Sequence, residues 1–189
     1  VLAGAGRCFS GGADIREFGR PQQSPILPEV IETVESAPKP VIAALHGPCF
    51  GGGFELPLGC HFRIGDPSTL VALTEVKLGL IPGAGGTQRL PRLIGAEKAL
   101  EIILSGNPVD AREALALGIL DEIAEKDLVE AAVTFAEARA RDGGPYKRTR
   151  DLDMPPVPEG FFDTERKKIE RRARGLIAPW HGIESVENA

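Results

Sequence analysis

Two glutamates and two glycine stretches are the parts of this 189-residue chain whose types and spacing could do chemistry. Glu55 follows three consecutive glycines in GPCFGGGFELPLG (47–59), and Glu75 sits in ALTEVKLGLIPG. A carboxylate among Leu, Val and Ile is penalised by desolvation unless it is paired or functional, and its pKa rises. Three glycines in a row answer a need that side chains would block, because glycine loses more chain freedom on folding than any other residue. Glycines ahead of a helix leave N–H groups unpaired at its positive end, where an anion or an oxygen that becomes negative can bind. Gly51, Gly52 and Gly53 fit that description ahead of Glu55. SGGADI (10–15) offers a second such place, with Gly11 and Gly12 leading into Ala13. Two amides from separate loops, beside two acids, suit acid–base work on a carbonyl compound. Plainer readings stand next to these: the glycines as tight turns, and each glutamate in an ion pair, with Lys77 and Arg89 nearby in sequence.

Other candidates read as structural. GAGGTQ (83–88) has Gln88 where a dinucleotide loop needs its last glycine, and no Lys follows as a P-loop requires, so it reads as a turn. His46, His61 and His181 lack metal-ligand spacing, and Cys49 reads as a small core residue. The basic run RKKIERRAR (166–174) is interleaved with glutamate and reads as a solvated helix face.

The elements that must position these residues alternate. VLAGAG (1–6) looks like the end of a buried strand, so that earlier residues are expected to be missing. CFSGGADIREF (8–18) is a glycine loop opening a short helix, and PEVIETVESA (28–37) is a helix with Ser24 as an upstream cap. KPVIAALHG (39–47) is a buried parallel strand, GGGFELPLGCH (51–61) a helix, and HFRIGD (61–66) and TLVAL (69–73) are strands. Beyond residue 86 helices dominate: TQRLPRLIG and AEKALEIILSG meet at Gly95, and Asp110 with Glu113 caps DAREALALG. ILDEIAE (119–125) is a strand and KDLVEAAVTFAEARAR (126–141) an amphipathic helix. A proline-rich polar stretch, 142–160, reads as a linker before a charged helix, FFDTERKKIERRARG (161–175), and a last one, GIESVENA. The pattern is α/β, with later helices packed around the core.

Composition bounds the partners. With 42% hydrophobic and 26% charged residues the chain is an ordinary globular one, and no apolar run approaches the roughly 18 residues of a membrane span. A net charge of −5 argues against a nucleic-acid surface, and three cysteines make no disulfide framework, which points to a reducing intracellular compartment.

Taken together, CFSGGADI (8–15), HGPCFGGGFELPLGCHFRI (46–64) and ALTEVKLGLIPGAGGTQRLPRLIG (72–95) resemble the crotonase (enoyl-CoA hydratase/isomerase) superfamily, and PVDAREALALGILDEI (108–123) continues the match. The resemblance implies a crotonase-like spiral of ββα units with a C-terminal helical region, the first strands missing. It implies a core over 1–141, a linker over 142–160 and a helical segment over 161–189. It also implies an oxyanion hole from the amides of Ala13 and Gly52, and Glu55 and Glu75 as the catalytic pair for syn addition of water to trans-2-enoyl-CoA. By position, Gly83 would help hold the water. Gly11, Gly12, Ile15, Arg16 and Gly51 would contact the acyl-CoA thioester, whose coenzyme A enters as part of the substrate, with no separate cofactor and no metal.

LGCHFRI, the loop 20–28 and RARGLIAPWHGIESVENA are most similar to the hydratase half of multifunctional fatty-acid oxidation proteins. That likeness implies a 3-hydroxyacyl-CoA dehydrogenase beyond Ala189, a homo-oligomer remaining open. Pro57 departs from the family pattern, and is expected within or just past the first turn of its helix, where a missing donor is least harmful. The alternatives are a Δ3,Δ2-enoyl-CoA isomerase at the same pocket and a non-catalytic binding module.

Overall fold

Residues 42–45 are fully buried, as a parallel strand covered on both faces requires. In the computed structural model, which describes every residue except 18, 20, 22 and 172, this run forms β2 (Ile42–Leu45). It lies between β1 (Leu2–Ala3) and β4 (Phe62–Gly65), and β7 (Glu122–Ile123) follows, giving a parallel sheet in the order β1-β2-β4-β7. A second, three-stranded sheet contains β3 (Pro48–Phe50), β5 (Leu70–Ala72) and β6 (Val109–Asp110). Within it β3 and β5 are parallel and β6 is antiparallel to β5.

The chain therefore winds as a spiral. One coil is β2, β3 and then α2 (Gly52–Gly59). The next is β4, β5, a 3-10 turn at Glu75–Leu78 and then α3 (Gly86–Ile94). Ile42 pairs with Phe62 in one sheet and Phe50 with Ala72 in the other, so each coil stacks on the last. The segment after β1 joins the stack through a parallel bridge between Ser10 and Cys49 before α1 (Leu27–Glu35) begins. Consequently the bends after Ser10, Phe50 and Ala72 lie side by side.

Four further helices follow before the last one: α4 (Ala96–Ser105), α5 (Ala111–Ala116), α6 (Leu128–Asp142) and α7 (Phe161–Ile169). The last is α8 (Ala178–Glu187). Asp110 and Asp127 cap α5 and α6 by accepting from the N–H groups of Glu113 and Glu130, each at 2.9 Å. Phe54, Leu58, Leu73, Leu90, Leu100 and Ile103 form the centre of the core, and Ile183 and Val186 of α8 are buried in the same cluster. No helix among the described residues is long and apolar enough to cross a membrane.

Several expectations need correcting. β3 and β6 were not legible: three and two residues are too short for a period-2 pattern, and the coils create them by stacking. Ser24 does not accept from the helix; its hydroxyl donates to Glu29 Oε2 at 2.7 Å, and the Ile26 N–H donates to the same oxygen at 3.1 Å. The charged helix ends at Ile169, and the last helix begins four residues before GIESVENA, with APWH forming the first residues of α8. Phe18 of the short helix, 20 and 22 of the proline-bearing loop, and Arg172 of the basic run lie outside the described residues. In the rest of that run, Arg166 pairs with Glu187 and Lys168 with Glu165, which makes it a solvated face.

Pro57 sits at the sixth position of α2, just past the first turn as expected. Its missing N–H leaves the Gly53 carbonyl without the usual i+4 donor. The helix nevertheless begins at Gly52, because the Phe54 and Glu55 N–H groups both donate to Gly51 O, at 2.7 and 2.9 Å. Glu55 thus lies before the interruption.

Candidate active site

Each of the three glycines has its own reason. Gly51 has φ +54°, open to glycine and strained for other residues, and a Cβ there would lie 3.0 Å from Glu75 Oε1. A Cβ on Gly53 would lie 2.4 Å from Ser10 O, inside the backbone of the preceding coil. A Cβ on Gly52 would reach Leu27 Cδ2 at 2.8 Å and would stand 4.0 Å from Ala13 N. From the opposite side, Gly12 has φ +90°, and a Cβ on it would lie 3.5 Å from Gly52 N. The bend 10–13 is held there by Phe50 N–H donating to Ser10 O at 3.2 Å. Ala13 and Gly52 therefore present their amides on adjoining turns, and among the described residues neither N–H donates a hydrogen bond.

The two glutamates occupy different settings. Glu55, 3% exposed, projects from the first turn of α2, and its Oε1 accepts from the N–H groups of Ala84 and Gly86, both at 2.8 Å. Gly86 opens α3, so this carboxylate sits at a helix N-terminus. Burial pushes the Glu55 carboxyl above its ordinary range, opposed by those two bonds and by the positive charge of Arg89. Glu75 opens the turn after β5, and its Oε2 is buried with no hydrogen-bond partner. Its carboxyl is pushed up to about 7, chiefly by burial, with the nearby Glu55 charge adding to the effect. Neither glutamate forms a salt bridge among the described residues. Arg89 instead pairs with Glu35 at 2.7 Å, and Lys77 reaches Asn107 Oδ1 at 3.3 Å.

The loop 83–88, read from sequence as a plain turn, supplies both donors to Glu55, which corrects that reading. Its amides do meet a carboxyl group, but that group is the protein's own side chain. Only the glycines of GAGG hinted at it. Gly83 itself is exposed and adjoins the donor Ala84. Gly11 is exposed with open space around it, and Arg16 is 84% exposed and paired with Asp14 at 2.6 Å. The backbone of Ile15 lies in a 3-10 turn, and its side chain is outside the described part.

A cavity of about 510 Å³ opens beside the Glu75 turn, lined by Val76, Lys77, Leu100, Leu104, Ile169 and Leu176 among others; neither glutamate lines it. The histidines are accounted for: His61 Nδ1 accepts from the Val41 N–H at 3.1 Å, with its ring edge-on to Tyr146, and His46 and His181 contact Gly6 O and Glu184. No group of three or more side chains suited to a metal occurs among the described residues. Cys49 and Cys60 are buried, their thiols pushed up to about 12 by desolvation.

Residues 1–145 match the enoyl-CoA hydratase/isomerase family over three quarters of the chain. The chain belongs to that family. As an enoyl-CoA hydratase/isomerase family member it is 43% identical to the peroxisomal bifunctional enzymes of Danio rerio and Homo sapiens, in alignments of 194 positions that cover all of this chain. It spans 27% of the length of those relatives. Among solved structures, an enoyl-CoA hydratase from Bacillus anthracis superposes with a TM-score of 0.66 at 33% identity, covering 97% of this chain and 68% of that one. The spiral fold expected from the sequence is thus the fold of this family member.

Proposed function

We infer that the chain adds water syn across the 2,3 double bond of a trans-2-enoyl-CoA. The observation that carries this reading is the unequal pair of carboxylates, buried Glu55 and half-buried Glu75, beside two undonating backbone amides. The Ala13 and Gly52 N–H groups would hold the thioester oxygen as negative charge develops on it, and losing one such donor typically costs roughly two to three orders of magnitude in rate. Glu55, stabilised as a carboxylate by two N–H donors, takes a proton from the water as its oxygen attacks C3. Glu75, with its carboxyl near neutrality, delivers a proton to C2. The protons balance: the water leaves its hydroxyl on C3 and its other proton on Glu55, C2 takes the proton of Glu75, and return of a proton from Glu55 to Glu75 through solvent restores the pair. Gly83, next to Ala84, would help place that water, and Gly11, Gly12, Ile15, Arg16 and Gly51 would contact the acyl-CoA substrate. No further cofactor is needed.

Crotonyl-CoA absorbs in the ultraviolet through its conjugated thioester, and its loss on adding protein tests the reading. Binding without any fall in absorbance would favour a non-catalytic module instead. A Δ3,Δ2-isomerase needs one carboxylate to shuttle a proton and no activated water; two carboxylates with opposite hydrogen-bonding favour hydration over it. The bifunctional relatives support a second activity in the complete polypeptide, a 3-hydroxyacyl-CoA dehydrogenase that would oxidise the alcohol formed here, and a peroxisomal setting. The intact mass of the full polypeptide tests the former.

A further inference from the structure

Glu35 closes α1 with its side chain fully buried, and such a charge is tolerable only with several good partners. It has three hydrogen bonds: Arg89 Nη2 at 2.7 Å and Nε at 3.2 Å from α3, and the Arg150 N–H at 3.1 Å from the stretch read as a linker. The fork of Arg89 is thereby fixed in its plane, and one nitrogen is left over. That nitrogen, Nη1, donates to Ala84 O at 3.2 Å. It lies flat against the next residue, because a Cβ on Gly85, whose φ is +102°, would stand 2.1 Å from Nη1. The residues on either side of Gly85 are the two whose N–H groups clamp Glu55 Oε1.

We propose that Arg89, locked by Glu35, is a positioning residue that aims the Ala84 and Gly86 amides at Glu55. It acts through the 84–86 turn and does not touch the reacting atoms. The inference rests on the proposed role of Glu55, and it assigns the cause of that carboxylate's orientation. A guanidinium is suited to the task where an ammonium is not: one edge meets a carboxylate with two bonds while the other end reaches a carbonyl. Joining α1 to α3 is the lesser alternative, and it needs neither the Nη1 bond nor a glycine at 85.

The test uses the full-length protein with Arg89→Lys, Arg89→Met and Glu35→Gln. Hydration is measured first on the wild type. If the wild type does not hydrate crotonyl-CoA, the reaction assigned above fails, while amide exchange at Ala84 and Gly86 still reports on the turn. The charged groups facing Glu55 are Arg89 and Glu75, so the limb of the pH–rate profile governed by Glu55 must move when Arg89 loses its charge. Expected for Arg89→Met is a kcat lower by roughly 10- to 100-fold, as misplaced catalytic groups typically show. KM should stay within about 3-fold, the Glu55 limb should rise in pH, and exchange at both amides should be faster. Arg89→Lys keeps the charge without the fork and should hold the limb near its wild-type position while recovering only part of kcat. Should Arg89→Met fail to fold, Arg89→Lys and Glu35→Gln decide the matter. Folded variants that are merely less stable, with wild-type kcat, pH profile and exchange at 84 and 86, would overturn the proposal.

Discussion

Glu55 and Glu75 stand close enough for one charge to perturb the other, yet they are solvated oppositely: Glu55 Oε1 accepts two backbone N–H bonds, and Glu75 Oε2 is buried with none. The first arrangement stabilises an anion and the second an uncharged acid. In the proposed hydration that asymmetry would divide base from acid without any difference in residue type.

Hydration should therefore follow a bell-shaped pH dependence. It requires Glu55 ionised and Glu75 protonated, so the rate should fall on the alkaline side with an apparent pKa near the value of about 7 given by burial of Glu75. The acid limb should lie above the ordinary glutamate range, since burial raises Glu55 as well. As the groups interact, both limbs belong to the pair. Initial rates of crotonyl-CoA hydration from pH 5 to 9 check this; a rate still rising at pH 9 would remove Glu75 as the acid.

Glu55→Gln keeps an oxygen for the two N–H donors but cannot take a proton. Hydration should drop by about 10²–10⁴-fold, the range of general acid–base effects, with little loss of stability. Isomerisation of a 3-enoyl thioester should fall less. Equal losses in the two assays would argue against Glu55 as the base acting on water.

Glu75→Gln should abolish hydration while making the fold more tolerant of alkaline conditions. The folded pKa of Glu75, about 7, is above its ordinary value of 4.5, so the folded state binds the extra proton between those values. The stability this represents is complete below about 4.5 and is lost as pH rises through 7. Glutamine does not titrate. Relative to wild type, the variant should gain roughly 1–3 kcal/mol on going from pH 4.5 to 8, because a tenfold difference in proton affinity between the folded and unfolded chain is worth about 1.4 kcal/mol. Urea melts at the two pH values measure it, and an unchanged difference would contradict the desolvated setting of Glu75 Oε2.

Two glycine substitutions should separate sharply. Gly53→Ala drives a Cβ to 2.4 Å from Ser10 O and should destabilise by about 1–3 kcal/mol, moving the turn that carries Ala13. Gly11→Ala meets nothing within 4 Å and has no positive φ, so its melting temperature should stay close to wild type. Similar losses in both would mean that the coils do not approach as closely as the backbone contacts indicate.

Local chemistry made much of the site readable. GGG before Glu55, GG before Ala13 and a glutamate among Leu and Val each break a rule of composition, and all of them fall at the stacked bends. The run 41–45 and the period of α4 and α6 were likewise visible, because burial on one side or both leaves a pattern along the chain. The start of α2 is set by Gly51 accepting two N–H bonds, which no single residue type announces, although Pro57 falls just past the first turn as its position in the run implied. The strands β3 and β6 exist only because neighbouring coils pair with them.

Residue types alone determined that this chain would carry acids in apolar surroundings and unobstructed amides ahead of helices, since desolvation and the lack of a Cβ are properties of each residue wherever it goes. Which acid holds its charge, and which amides it meets, was decided by tertiary structure. Ala84 and Gly86 come to Glu55 from 29 and 31 positions away, and Arg89 comes to Glu35 from 54. Hydrogen bonds depend on direction and distance in space, and only the winding of one coil upon another supplies those.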